Sequence, residues 1–179
     1  MQPPVLRNWV IKQNGEYRNN LVYPNTYKIE FTACNFFPYT IDEVTFKSGP
    51  NELDFTVTPY IRIKNCTIKK EGDFITASFT LEGGKSTVKV SSMALYVFTD
   101  KFVSEYVNLG VSAGSGQPKR TFSPAETIDP ETIYTLSIDL SANASVFAVH
   151  RNYYFRVGVK ANQSGVGTIR SNYFPYVKI

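Results

Sequence analysis

Apolar and polar residues alternate with a period of two along most of this chain, and this pattern restricts its fold more than any other feature. In a β-strand successive side chains point to opposite faces, so the alternation gives one apolar and one polar face. Strands of this kind are typical of antiparallel sheets, and segments rich in Gly, Asn, Asp and Pro separate them here. We therefore predict an all-β chain. The clearest alternating runs span residues 27–33, 75–81, 134–140 and 153–159.

Composition sets the size of the core and excludes several classes of protein. The chain has 179 residues, of which 42% are hydrophobic, so it can bury a core in one large or two small domains. Its net charge of +4 comes from scattered Lys and Arg side chains, which we interpret as solvated strand faces and not as a nucleic-acid surface. No apolar run approaches the ~20 residues of a membrane helix. The first residues also lack the apolar region of a signal peptide.

A proline interrupts the alternating stretch from Asp54 to Asn65, "DFTVTPYIRIKN". Proline has no N–H to donate to a ladder, so Pro59 cannot lie inside a central strand. We predict that one β unit ends here and another begins, which places two domains at residues 1–58 and 59–179. About five strand candidates precede the boundary, which is few for an independent core. About seven follow it, and that number suits an immunoglobulin-like or fibronectin-like sandwich.

Two segments lack the alternation. Residues 108–132 are rich in Gly, Ser and Pro, and we predict a long loop there that crosses between the two sheets. Residues 100–110 carry the best helical signal, because Asp100 can cap one or two turns. A second short turn is predicted within residues 123–132.

The sequence offers little for catalysis or metal binding, so we predict no enzyme activity, no catalytic residue, no cofactor and no metal site. His150 is the only histidine, and no nucleophile motif accompanies it. Oxygen ligands for calcium cluster at residues 126–131, but their spacing matches no standard loop. Cys34 and Cys66 lie in strand-like runs, and both a disulfide between them and two free thiols are compatible with the sequence.

Three clusters of aromatic side chains beside amides are candidate ligand sites. Flat rings stack on the C–H faces of sugars, and amides or arginine bond sugar hydroxyls, so such clusters favour glycan binding. Packing of the same rings in the core or between domains is the alternative interpretation. In "CNFFPYT" the alternation fails, which predicts that some rings leave the core. The candidate residues are Trp9, which lies near Asn8 and Gln13, then Asn35, Phe36, Phe37 and Tyr39, and finally Arg170, Asn172, Tyr173 and Tyr176.

Stretches along nearly the whole chain follow the order and spacing of one family's motifs. In chain order they are "WVIKQNGEYRNNLVYPNTYKIEF", "FTVTPYIRIKN", "ALYVFTDKFV", "YYFRVGVKA" and "SNYFPYVKI". Together they resemble a family of two-domain Bacteroidetes outer-membrane lipoproteins of unknown function. The resemblance implies a transthyretin-like, or carboxypeptidase-regulatory-like, unit in residues 1–58 and an immunoglobulin/fibronectin-like β-sandwich in residues 59–179. It also implies that the first strands, a signal peptide and a lipidated cysteine lie upstream, so that the first unit is N-terminally incomplete.

Members of that family are typically encoded beside SusC/SusD-type outer-membrane glycan importers. The resemblance therefore implies a non-catalytic accessory protein that binds or presents a polysaccharide or oligosaccharide to such an importer complex. It implies a location at the outer membrane, on the cell surface or the periplasmic face, with the membrane reached only through the upstream lipid anchor. The alternative is a structural or docking lipoprotein of an outer-membrane or surface assembly that touches no sugar. Nucleic acid is not an expected partner.

Overall fold

The computed structural model describes residues 7–12, 15–163 and 169–179. The chain divides into two compact units, one of Met1–Glu30 with Thr40–Phe55 and one of Phe31–Tyr39 with Thr56–Ile179. The described residues form strands and turns but no helix, which confirms the predicted all-β class. Consequently this described part holds no helix that could cross a membrane. The domain boundary between residues 58 and 59 stays a prediction.

The first unit contains an antiparallel pair of strands, β1 (Asn25–Glu30) and β2 (Thr40–Phe46). The sequence predicts about five strands in residues 1–58, whereas residues 7–12 and 15–58 contain these two. The alternating residues 53–57 have no ladder partner within the described chain. Alternation alone does not make a strand, because a strand also needs a neighbour to accept and donate its backbone hydrogen bonds.

Eight strands of the second unit are present in the described residues, and they form two antiparallel sheets. In chain order they are β3 (Ile61–Glu71), β4 (Phe74–Gly83), β5 (Lys89–Phe98), β6 (Lys119–Thr127), β7 (Tyr134–Asp139), β8 (Tyr154–Asn162), β9 (Asn172–Tyr173) and β10 (Val177–Lys178). The three-stranded sheet has the order β3-β4-β7. The five-stranded sheet has the order β10-β8-β5-β6, and β9 also pairs with β8.

One core contains residues from both sheets of the second unit, as in a β-sandwich. Every second residue of β4, from Ile75 to Leu81, is at most 2% exposed. The alternate residues of β7 and β8 are buried in the same way, so three of the four alternating runs are confirmed as strands with a buried face. Full burial of one Leu, Ile or Phe side chain stabilises a fold by about 1.5–3 kcal/mol. This cluster is therefore the main source of stability in the unit.

Residues 108–132 contain strand β6, so the prediction of a continuous loop there is wrong. β6 pairs antiparallel with β5, and Lys89 lies opposite Thr127. It is the edge strand of its sheet, and most of its residues are exposed. Pro124 is tolerated because an edge strand needs no N–H donor on its outer side. A strand without a continuous buried face leaves no clear alternation in the sequence, which explains the error.

Residues 100–110 form turns and no helix. Asp100 does cap the first of these turns, since its Oδ1 accepts the N–H of Phe102 at 3.1 Å. Side-chain bonds of this kind compete with helical backbone bonds. The second predicted turn lies after β6, where the carbonyl of Asp129 accepts the N–H of Thr132 at 3.2 Å.

Candidate functional site

The first unit carries an open cleft of about 820 Å³. Trp9, Tyr17 and Phe46 form its aromatic part, and amide and charged side chains line it together with glycine, proline, Val22 and Leu53. Among the candidate residues, Trp9 is the one that lines this cleft. Asn8, its neighbour in sequence, is exposed, and Gln13 lies outside the described residues.

Ring stacking fixes the position of Trp9. Its ring centroid lies 5.9 Å from that of Tyr17 at an interplanar angle of 24°. Tyr17 in turn stacks on Phe55 at 5.7 Å and 27°, and its hydroxyl donates to the carbonyl of Leu53. The half-buried indole is therefore braced by a ladder of rings, which leaves it rigid at the wall of the cleft.

Two asparagines give the cleft its polar lining. The Oδ1 of Asn19 accepts the N–H of Leu21 at 2.8 Å, and the Oδ1 of Asn20 accepts from Nε of Arg18 at 3.0 Å. Their amide N–H groups have no acceptor within the described chain, so they remain available as donors. By contrast, the amide of Asn51 is occupied with backbone groups of its own turn.

The cleft is acidic. The carboxylates of Glu16, Glu52 and Asp54 line it together with one guanidinium, that of Arg18, and Glu16 is paired with Lys12 at 3.7 Å. Carboxylate oxygens accept hydrogen bonds from hydroxyl groups, so this arrangement suits an uncharged, hydroxyl-rich ligand better than an anion.

The second candidate cluster lies in the second unit and is mostly used for packing. Phe36 is 8% exposed, forms a β-bridge with Pro59 and meets Phe31 edge-on at 5.6 Å. Tyr39 stacks on Phe31 at 4.6 Å and is half-buried. Phe36 is thus not one of the rings that leave the core, because residues 31–39 pack within the second unit and not within the first.

Phe37 is half-buried, like Tyr39. Its ring meets Tyr60 edge-on at 4.8 Å, and the Nζ of Lys85 lies 4.2 Å from the ring centroid. The cation–π contact occupies one face of the ring. Phe37 therefore has little surface left for a sugar.

The second and third clusters meet at one pair of residues, Asn35 and Asn172, and no pattern in the sequence predicts this contact. The carbonyl of Asn35 accepts the N–H of Tyr60 at 3.1 Å and the Nδ2 of Asn172 at 2.8 Å. The Oδ1 of Asn172 accepts the N–H of Ile61 at 3.2 Å. Because Asn172 is buried and both ends of its amide are bonded, it serves the fold.

Tyr173 belongs to a ring cluster on the outer side of the five-stranded sheet. The guanidinium carbon of Arg156 lies 4.5 Å from its ring centroid, and Tyr96 lies 6.4 Å away. A Cβ on Gly158 would come within 2.8 Å of both tyrosine rings, so only glycine leaves them room. Burial raises the pKa of Tyr96 and of Tyr173, which therefore remain neutral at physiological pH.

Arg170 and Tyr176 are the exposed members of the third cluster. Tyr176 is 44% exposed and meets Tyr154 edge-on at 5.4 Å. The Nη1 of Arg170 donates to the hydroxyl of Tyr106 at 2.6 Å. Sequence reasoning missed Tyr106 because it lies in residues 100–110, where no alternation shows which side chains face solvent.

Groups with reactive chemistry are dispersed. His150 is exposed, and the described residues contain no group of three His, Cys, Asp or Glu side chains that could hold a metal ion. In residues 126–131, the candidate calcium loop, Oδ1 of Asp129 accepts the N–H of Glu131 and Oδ2 of Asp129 accepts the hydroxyl of Thr132. Cys34 and Cys66 are free thiols, and burial raises the pKa of the Cys66 thiol to about 12.

Comparisons with known proteins identify relatives of this chain. It is 47% identical to "a putative carbohydrate binding protein" from Bacteroides uniformis ATCC 8492, whose crystal structure superposes with a TM-score of 0.90 over 96% of this chain and 80% of that one. Crystal structures of DUF3823 family proteins from Bacteroides ovatus ATCC 8483 and Parabacteroides merdae ATCC 43184 are each 22% identical to it and share its fold. Their TM-scores are 0.68 and 0.70, over 95% and 100% of this chain and 81% and 84% of theirs.

No curated protein matches the chain. The family model described as "Domain of unknown function (DUF3823_C)" matches residues 61–171, which is more than half of the sequence. The 47% identical relative superposes on nearly the whole of this chain, so the two share an all-β fold. The chain belongs to the DUF3823 family.

Proposed function

We propose that this protein is a non-catalytic, cell-surface accessory protein that binds glycan for a SusC/SusD-type outer-membrane importer. The observation that carries the proposal is the cleft of the first unit, which Trp9 lines together with the amides of Asn19 and Asn20, whose N–H groups have no acceptor within the described chain. A braced indole offers a flat apolar surface at little entropic cost, and these amides together with the carboxylates of Glu52 and Asp54 offer partners for hydroxyl groups.

The 47% identical relative from Bacteroides uniformis supports the same ligand class. That protein is described as "a putative carbohydrate binding protein", and its structure matches nearly the whole of this chain. A similar sequence over the whole chain favours a similar ligand, although it names no sugar.

The expected affinity per sugar unit is low. A ring contact contributes on the order of 1 kcal/mol beyond the burial of area. Two or three such contacts, after the cost of immobilising the sugar, give a dissociation constant nearer to millimolar than to nanomolar. This suits a polymer with many repeats, because multivalency raises the effective affinity.

The importer, the lipid anchor and the location rest on the resemblance to the two-domain lipoprotein family. In that arrangement the anchor lies upstream of Met1 and holds the protein at the outer membrane, on the cell surface or the periplasmic face. A glycan held there is close to the importer that takes it up, so weak binding is sufficient.

Affinity electrophoresis in gels that contain neutral polysaccharides tests the glycan proposal. The wild-type chain should be retarded by at least one polysaccharide, and Trp9→Ala should weaken the binding by about fivefold, as loss of about 1 kcal/mol implies. Tyr23→Ala is the matched control, because Tyr23 is an exposed aromatic residue of the first unit that does not line the cleft. If no polysaccharide in a broad panel retards the wild type, the glycan proposal fails.

A docking role without sugar contact is the second candidate. It is favoured by three exposed apolar side chains of the first unit, Val10, Leu21 and Tyr23, which are 83%, 77% and 74% exposed. Cross-linking in intact membranes should then join the protein to the importer complex, and Leu21→Ser should reduce that yield while leaving glycan retention unchanged. Equal cross-linking of wild type and variant would exclude these residues as the docking surface.

A further inference from the structure

The second unit presents an aromatic ring and a guanidinium side by side at its surface. Tyr106 is 69% exposed, and its hydroxyl accepts the 2.6 Å bond from Nη1 of Arg170. The guanidinium carbon of Arg170 lies 5.6 Å from the Tyr106 ring centroid. Since a guanidinium has five N–H donors, this bond leaves Arg170 with others to offer.

Both residues are held in place by bonds from their neighbours. The N–H of Glu105 donates to the hydroxyl of Tyr173 at 3.1 Å, and the Oγ of Ser171 donates to Oε2 of Glu105 at 2.9 Å. The backbone N–H of Arg170 itself donates to the carbonyl of Cys34 at 2.9 Å. The turn that carries Tyr106 and the segment that carries Arg170 are thus locked together, so a ligand would pay little to order them.

The charge of Arg170 is not neutralised. No carboxylate oxygen lies within 4.0 Å of its guanidinium in the described chain, and residues 1–6, 13–14 and 164–168 contain no Asp or Glu. The nearby carboxylate of Glu105 is already paired with Lys160 at 3.6 Å.

A further cation adds to this positive field. Arg156 donates to the carbonyls of Phe174 and Val103, and it has no carboxylate partner within 4.0 Å in the described chain. The local charge is therefore positive. Three cations, Arg156, Lys160 and Arg170, and one carboxylate, Glu105, give an excess of two positive charges. A surface of this sign attracts anions.

We propose that Tyr106 and Arg170 form a subsite for an acidic saccharide, with the sugar ring on Tyr106 and its oxyanion on the guanidinium of Arg170. The shared chemistry is a pyranose that carries a carboxylate, as in a uronic acid, or a sulfate ester. The subsite belongs to the second unit and is separate from the acidic cleft of the first, so it extends the function proposed above and does not depend on it.

Isothermal titration with three oligosaccharides of equal length tests the subsite: an oligogalacturonate, a sulfated oligosaccharide and a neutral one. At least one acidic oligosaccharide should bind more tightly than the neutral one, with an affinity that falls as salt rises. Arg170→Gln should weaken that binding by about tenfold or more, as loss of one charged hydrogen bond implies. Tyr106→Ala should weaken it too, and Tyr106→Phe less, because phenylalanine keeps the ring.

Lys119→Gln is the charge-matched control, since Lys119 is an exposed cation of the same unit with no ion pair in the described residues. Binding of the carboxylate form alone, the sulfate form alone or both supports the subsite and identifies its anion. The subsite proposal is overturned if Lys119→Gln and Arg170→Gln lose equal affinity for the acidic oligosaccharide. It is also overturned if the neutral oligosaccharide binds as tightly as the acidic ones, or if neither acidic oligosaccharide binds. Trp9→Ala should leave acid binding unchanged, so this proposal and the cleft proposal can fail separately.

Discussion

Replacing Asn172 by alanine should destabilise the second unit by about 2–4 kcal/mol, because it removes one buried and one partly buried hydrogen bond. Ile61 is only 1% exposed, and its N–H loses its acceptor, Oδ1 of Asn172 at 3.2 Å. A buried unsatisfied donor costs about 1–3 kcal/mol. The carbonyl of Asn35 loses its 2.8 Å donor but keeps the N–H of Tyr60, so that loss is nearer to the net value of about 1 kcal/mol.

Urea unfolding followed by circular dichroism measures the effect. Tryptophan fluorescence is unsuitable, since Trp9 is the only tryptophan and belongs to the first unit. Asn162→Ala is the control, because Asn162 is an exposed asparagine of β8, and it should change stability by less than about 0.5 kcal/mol. A loss of the same small size in Asn172→Ala would refute the reasoning.

The variant Asn172→Asp separates the two bonds by pH. As a carboxylate it accepts the N–H of Ile61 but faces the carbonyl of Asn35 without a proton, so at neutral pH it should be no more stable than the alanine variant. A protonated carboxyl group can make both bonds. Burial and the carbonyl raise the folded pKa of this carboxyl group above its unfolded value, so the variant gains stability as pH falls through the folded pKa. A deficit relative to wild type that does not shrink between about pH 7 and about pH 4 contradicts the two-bond account.

Further predictions concern a glycine, an aspartate and the thiols. In thermal melts, Gly158→Ala should lower the free energy of unfolding by about 1–3 kcal/mol, because the added Cβ overpacks two tyrosine rings. Gly110→Ala is the control and should be neutral, because its added Cβ has nothing within 4 Å. Two backbone N–H groups hold the pKa of the Asp139 carboxyl group below its ordinary 3.8. Above pH 3.8 the wild type should therefore be more stable than Asp139→Asn, and it should lose this advantage as pH falls through the folded pKa. A stability difference that is unchanged at about pH 2 would contradict this. Burial raises the pKa of both thiols, that of Cys66 to about 12, so native-state alkylation at about pH 8 should modify Cys34 before Cys66, and equal rates would show that burial does not protect Cys66.

Strands with one buried face could be predicted from the sequence, and strands without one could not. β4, β7 and β8 lie in sheets that cover a core, so their inward residues must be apolar and the period of two is visible. β6 lies at an edge, and its register is set by hydrogen bonds to β5 and not by a hydrophobic pattern. Residues 53–57 show the opposite case, since they alternate without a ladder partner in the described chain.

The candidate site was predictable only in part, because sequence shows which residues are suitable but not what they pack against. Trp9 could be chosen as an isolated indole beside amides, yet the asparagines that line the cleft are Asn19, Asn20 and Asn51, none of which is a sequence neighbour of Trp9. The alternation breaks at Phe36, although this ring is buried. The sequence places Phe36 in the predicted first domain, residues 1–58, whereas in the structure residues 31–39 pack within the second unit. No local pattern encodes such a long-range contact.

Two arginine–tyrosine pairs illustrate why burial, and not residue type, separates packing from binding in this protein. Arg156 over Tyr173 and Arg170 beside Tyr106 have similar cation–π geometry, with distances of 4.5 and 5.6 Å. The guanidinium of Arg156 is buried enough for its pKa to be lowered, and it bonds two backbone carbonyls that would otherwise lack these donors. Its replacement must therefore cost stability. Arg170 is exposed, and its guanidinium bonds only one side-chain hydroxyl in the described chain, so its replacement removes charge from the surface and little from the fold.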